Sequence, residues 1–155
     1  MSGMHDISGR CHCGNVSYVF VSPIPKMELP LKSCDCSFCS KQGAVYTSHP
    51  KGTLKVTVVN KDQVKLYQFG SEAADVFSCA ICGVFPFIKG VIDGEDYAVL
   101  NANSINGLKI EHSQIVPVEQ LENQTAAERA ERWKRSWIPR VEIDYLKQPV
   151  NAALL

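Results

Sequence analysis

Cys11-His12-Cys13-Gly14 and Cys79-Ala80-Ile81-Cys82-Gly83 are two tight cysteine pairs, each closed by a glycine, and between them stands Cys34-Asp35-Cys36-Ser37-Phe38-Cys39. The seven cysteines of the chain thus fall into four in pairs and three within six residues. Structural zinc takes four protein ligands, whereas catalytic zinc keeps three and leaves one position for water or substrate. Four plus three is the provision for one closed and one open metal site. Ligands this close in sequence can meet one ion from a single turn. Gly83, just after Cys82, can take a positive φ and let backbone amides point at the thiolates.

Spacing alone leaves the partition open. Pairing Cys11/Cys13 with Cys79/Cys82 makes a four-sulfur clamp between the amino terminus and mid-chain. Pairing Cys36-x-x-Cys39 with Cys79-x-x-Cys82 makes an ordinary zinc ribbon and leaves Cys11, Cys13 and Cys34 as the second group. A structural zinc site contributes about 10–16 kcal/mol of apparent binding energy in zinc-finger peptides, comparable to the whole stability of a typical domain. A disulfide framework is disfavoured, because seven is odd and would leave one cysteine unpaired.

At 155 residues the chain fits one domain, residues 1–155. A chain of this size buries about 70% of its unfolded surface, enough for an apolar core without disulfides. Basic and acidic residues number 16 each, a balance that suggests neither nucleic acid nor an anionic membrane as a partner. Met1 to Arg10 holds no apolar core of signal-peptide length, and no run approaches the length of a membrane span. The expected location is the cytoplasm, where thiols stay reduced.

The strand signals dominate. Val16–Val21 is rich in β-branched and aromatic residues, and Leu54–Val59 and Gln63–Phe69 alternate apolar with polar positions. Asn60-Lys61-Asp62 between the latter two predicts a hairpin connection. Ala44–Ser48 is predicted as a strand, and Phe85–Ile88 as an edge strand, because Pro86 cannot donate to a ladder. Asp93-Gly94 and Asn106-Gly107 are hairpin turn signals. One helix is predicted from Thr125 to about Trp137, opened by the capping box Thr125-Ala-Ala-Glu128 and stopped by Pro139. Ala126, Ala130, Trp133 and Trp137 share one of its faces. Packing on the protein's own sheet is the first expectation for this stripe; a self-association surface or a substrate-pocket wall are the alternatives.

Gly9-Arg-Cys-His-Cys-Gly-Asn-Val-Ser-Tyr18, Cys34-Asp-Cys-Ser-Phe-Cys-Ser-Lys41 and Cys79-Ala-Ile-Cys-Gly83 together resemble the glutathione-dependent formaldehyde-activating family in order, spacing and flanking glycines. The similarity runs from Gly9 to about Val118 (residues 9–118) and leaves out the terminal helix, residues 125–137. The resemblance implies a mainly β fold, an Mss4-like arrangement of antiparallel sheets with zinc-binding loops. It assigns Cys11, Cys13, Cys79 and Cys82 to a structural zinc, and Cys34, Cys36 and Cys39 to a catalytic one.

It also implies a carbon–sulfur lyase type of reaction, in which glutathione adds reversibly to formaldehyde. The residue count suits that chemistry, since sulfur-rich sites favour a thiol as a further ligand and a metal-bound thiol is deprotonated. Proximity and thiol activation would be the protein's contribution. Three positions depart from the family's usual residues: Asp35, Ser40 and Val84 stand where His, Arg and Ser or Thr are common. Loss of that Arg removes a natural partner for a glutathione carboxylate, which leaves open whether another thiol or another small aldehyde is used.

Lys41 and Gln42, just after Cys39, are candidates for substrate contact. His12 is expected beside the ligands rather than among them. His49 either faces the open site or is a plain loop residue, and Asp93, Glu95 and Asp96 read as turn polarity. Arg129, Arg132, Lys134, Arg135 and Arg140, interleaved with Glu128 and Glu131, read as a solvated region rather than a nucleic-acid surface. A non-enzymatic zinc module that binds a protein or nucleic acid is the rival reading, and redox sensing by free thiolates is a third. Homo-oligomerisation is left open.

Overall fold

The computed structural model describes residues 3–69, 72–119 and 123–146. Among the described residues, eleven strands and two α-helices follow in order. They are β1 (His5–Arg10), β2 (Val16–Ser22), β3 (Leu31–Cys34), α1 (Ser37–Gln42), β4 (Tyr46–Thr47), β5 (Thr53–Val58), β6 (Val64–Tyr67), β7 (Ala74–Cys79), β8 (Phe87–Ile92), β9 (Glu95–Asn101), β10 (Ile115–Val118), α2 (Ala126–Ser136) and β11 (Arg140–Tyr145). A four-stranded sheet runs β1-β2-β5-β11, and a seven-stranded sheet runs β10-β3-β4-β9-β8-β7-β6.

The protein is mainly β, as expected, but the sheets are mixed. β11 lies parallel to β5 and β10 parallel to β3, whereas the other pairings are antiparallel. The alternation of side chains explains the layering. Phe77, Phe87 and Leu100 of the large sheet join Phe20, Leu54 and Val56 of the small one in a single core. The neighbouring residues Val76, Ile88 and Val99 point to the other face, where they meet Trp133 and Trp137. Because successive residues of a strand face opposite ways, this is why β9 is buried without a break from Ala98 to Asn101. Removing a side chain such as Phe87 or Leu54 from water stabilises the fold by about 1.5–3 kcal/mol each.

α2 starts where the sequence says. The Thr125 hydroxyl accepts from the Glu128 N–H at 3.1 Å, and the Glu128 carboxylate accepts from the Thr125 N–H at 2.9 Å. Its aromatic face lies on β8 at Gly90, where a Cβ would overlap the Trp133 ring. Ile138 then exchanges two backbone hydrogen bonds with Ala98, at 2.9 and 3.0 Å, which pins the exit of the helix to the large sheet.

Several local expectations are corrected by this topology. Asn60–Asp62 makes no hairpin: β5 belongs to the small sheet and β6 to the large one, and the Asn60 side chain instead caps a short 3-10 turn by accepting from Asp62 N–H. The predicted edge strand at Phe85–Ile88 is an interior one, because the ladder starts at Phe87, beyond the proline that could not join it. The strand expected over Ala44–Ser48 shrinks to Tyr46–Thr47. Asp93-Gly94 does turn the β8–β9 hairpin, with both residues at positive φ. Asn106-Gly107 does not; the Asn106 N–H bonds the Ser8 carbonyl at 2.9 Å, and Ile105 bridges to Gly9 instead. No helix among the described residues is long and apolar enough to cross a membrane.

Candidate metal centres

The first cysteine group sits where the two sheets meet. Cys11 and Cys13 leave β1 of the small sheet, and Cys79 ends β7 of the large one. Each pair sits in a tight turn, closed by Gly14 N–H to Cys11 carbonyl at 3.3 Å and by Gly83 N–H to Cys79 carbonyl at 2.8 Å. Both glycines stand at positive φ, 89° and 82°, a region that costs other residues. The sulfurs of Cys11, Cys13, Cys79 and Cys82 all lie within 4.8 Å of one another.

Their spacing fits zinc. A tetrahedron with bonds of about 2.3 Å places its sulfurs about 3.8 Å apart; Cys11 to Cys13 is 3.8 Å and Cys13 to Cys79 is 3.6 Å. The Val16 N–H points at the Cys11 sulfur from 3.3 Å. Burial pushes Cys11 up, and Cys13 up to about 12. At Cys82 burial works the same way, but N–H donors from Val84 and Cys13 and the thiols of Cys79 and Cys11 bring it down to about 6. Four sulfurs competing for protons in this manner form a donor set suited to a soft divalent cation.

The second group is built on one strand end and one helix turn. Cys34 ends β3, Cys36 caps α1 by accepting from the Cys39 N–H at 3.4 Å, and Cys39 lies inside the helix. Phe38 holds that turn to the sheet, with its ring 5.6 Å from Tyr67 of β6 and 4.7 Å from Phe69 just beyond it. The three sulfurs again lie within 4.8 Å of one another. Hydrogen bonding from the Cys39 thiol draws Cys34 down to about 6 against the opposing effect of burial, with help from the Cys36 N–H. Cys39 is pushed up in return, first by its bond to Cys34 and then by burial. The Tyr46 hydroxyl reaches the Cys39 sulfur at 3.0 Å. Burial above all, then the neighbouring Cys39, keeps that phenol protonated, so it has a proton to donate to Cys39 once that sulfur gives up its own to a metal.

Cys34, Cys36 and Cys39 line a cavity of about 550 Å³, and none of the other four cysteines does. The three-sulfur group thus faces a volume of small-molecule size, and the four-sulfur group does not.

The model of the family described as glutathione-dependent formaldehyde-activating enzyme matches residues 6–129. The chain belongs to this family. Among solved structures it is similar to the crystal structure of a Rhodobacter sphaeroides protein, a structural genomics target, at 27% identity and a TM-score of 0.51. That likeness covers 73% of this chain and 99% of the other. A search of curated proteins finds no match. The family match starts slightly before the resemblance expected from Gly9 and continues beyond Val118 into the first turn of α2.

Around the cavity the structure sorts the other candidates. His49 lines the cavity; its Nδ1 accepts from the Lys51 N–H at 3.1 Å, and burial, then Lys51, lowers its pKa. Lys41 and Gln42 are exposed on α1 and are not among the lining residues. His12 is exposed and outside both cysteine groups. Asp93 pairs with Lys134 at 2.9 Å and Asp96 with Lys89 at 3.3 Å, at the surface hairpin. Trp133 and Trp137 pack on the large sheet and also line the cavity, so the first expectation and the pocket-wall alternative both hold for them. Tyr46 and the arginines of α2 escaped the sequence reading. The three-residue spacing of Arg129, Arg132 and Arg135, all of which line the cavity, is the signal that could have found that face.

Proposed function

We propose that this protein is a zinc-dependent enzyme of the carbon–sulfur lyase type, joining a thiol such as glutathione reversibly to formaldehyde or another small aldehyde. Cys11, Cys13, Cys79 and Cys82 would hold a structural zinc ion, and Cys34, Cys36 and Cys39 a catalytic one, two per chain. The observation that carries this reading is the contrast between a four-sulfur cluster and a three-sulfur cluster that lines a cavity. When bound by three cysteines, zinc supplies a sulfur-preferring Lewis acid that favours deprotonation of an incoming thiol.

The chain's own residues divide the remaining work. Tyr46 orients Cys39 through its hydroxyl. In the forward direction the thiol loses its proton, its sulfur forms a bond to the carbonyl carbon, and the C=O π pair moves to oxygen, which takes a proton. The reverse step breaks the carbon–sulfur bond and returns aldehyde and thiol. His49 is the residue we assign to that oxygen. The Lys51 N–H occupies the Nδ1 lone pair, so the neutral ring carries its proton on Nε2, where it can donate. Aromatic walls exclude water from the adduct, and proximity of thiol and aldehyde contributes the larger share of the acceleration.

Exchange spectroscopy by NMR on glutathione and formaldehyde at equilibrium tests this directly. Wild-type protein is expected to accelerate exchange between free and S-hydroxymethyl glutathione, and Cys36→Ser to lose the acceleration. An exchange rate equal to buffer with wild-type, zinc-loaded protein would remove the activity.

A further inference from the structure

The charged side chains that line the cavity all carry one sign. Lys32, Arg129, Arg132 and Arg135 are there together with His49, and no aspartate or glutamate is, although the chain as a whole is formally neutral. Among the described residues, none of these four cations is ion-paired; the pairs recorded involve Lys55, Lys89, Lys109 and Lys134. Arg132 is half-buried, and its guanidinium makes one hydrogen bond among the described residues, from Nε to Gln124 Oε1 at 2.9 Å. Its terminal amino groups keep the fork geometry that suits a carboxylate. Three thiolates and one Zn²⁺ sum to a charge of −1, which a single cation balances. The surplus positive charge fits an anion brought by the ligand.

The rest of the wall is apolar. Trp133 and Trp137 stack with centroids 4.1 Å apart and planes 14° from parallel, and Phe69, Val76, Ile88 and Val99 line the same space. Formaldehyde has one carbon and cannot cover such a surface. Glutathione brings carboxylates but no aromatic or large aliphatic group to set against the indoles.

We propose that one component of the adduct formed here is an amphiphilic carboxylate, its aromatic or branched aliphatic body against Trp133 and Trp137 and its carboxylate on Arg132, flanked by Arg129 and Arg135. This substrate class rests on the thiol–aldehyde reading above, and it places specificity in α2 rather than in the cysteine loops.

The two tryptophans of the chain both line the cavity, so their emission reports its occupancy. Zinc-loaded full-length protein is titrated with 4-phenylbutyrate, with its neutral amide 4-phenylbutyramide, and with butyrate. The acid is expected to change the emission saturably and to bind at least ~10-fold more tightly than the amide or butyrate, as charge-assisted bonds to arginine imply. Arg132→Gln should erase the preference for acid over amide while leaving amide binding in place; Arg135→Gln, further from the helix core, should weaken the preference in the same direction. Equal affinity for acid and amide, no saturable binding of either, or an unchanged preference in both variants would overturn the proposal. Glutathione–formaldehyde exchange measured on the same sample separates the two ideas. Exchange without acid preference removes the substrate class alone, and acid preference without exchange removes the reaction alone.

Discussion

The Tyr46 hydroxyl lies 3.0 Å from the Cys39 sulfur, and it joins β4 of the large sheet to the helix that carries Cys39 and is capped by Cys36. A hydrogen bond to a charged acceptor contributes about 1.5–3 kcal/mol. Tyr46→Phe removes the donor and keeps the ring, so the fold should survive and zinc should be held about 10-fold more weakly at the open site. Competition with a chromophoric chelator measures this, and an unchanged zinc affinity would show that the hydroxyl does not support the thiolate.

Gly90 sits beneath Trp133, with no room for a Cβ. Gly90→Ala must push the indole off β8 or shift the helix. Overpacking of this kind costs about 1–3 kcal/mol, and urea denaturation should record a loss in that range together with a change in tryptophan emission. A variant with wild-type stability would mean that α2 rests on the sheet less firmly than the contact implies.

His49 sits in the cavity wall with its pKa lowered, by burial first and by Lys51 second. The folded protein therefore binds fewer protons at this site than the unfolded chain in the window between the depressed value and the ordinary value of about 6.5. Its contribution to stability is complete above that window and falls as pH drops through it. His49→Gln should flatten the stability profile there, and NMR titration of the wild-type imidazole should give a midpoint below that of a free histidine. A midpoint above it would reverse the sign and remove the neutral donor from the proposed reaction.

The cysteine pairs were legible because their geometry is local: a Cys-x-Cys or Cys-x-x-Cys turn followed by glycine carries its own backbone conformation, seen at Gly14 and Gly83. Their partition into four and three joins distant turns, and spacing left it open until the family resemblance assigned it. The capping box at Thr125 and the Asp93-Gly94 turn were legible for the same reason. Long-range pairing was not. Asn106-Gly107 has the composition of a hairpin, yet Ile105 and Asn106 bond to β1, far away in sequence. Tyr46 reaches Cys39 only once β4 is seated beside β3 and β9. The arginines of α2 read as a solvated face because amphipathic patterning cannot distinguish bulk water from the wall of a cavity. Their role appears when Trp133 and Trp137 fix which side of the helix turns inward.

Zinc content, measured by mass spectrometry on protein purified without chelator, tests the central claim most directly. Two ions per chain are expected, one for each cysteine group. Cys36→Ser should retain one ion and a wild-type circular dichroism spectrum. Cys79→Ser, which opens the clamp between the sheets, should lose the fold along with its metal, given the energy such sites contribute. A single zinc ion in the wild type, unchanged in Cys36→Ser, would contradict the account.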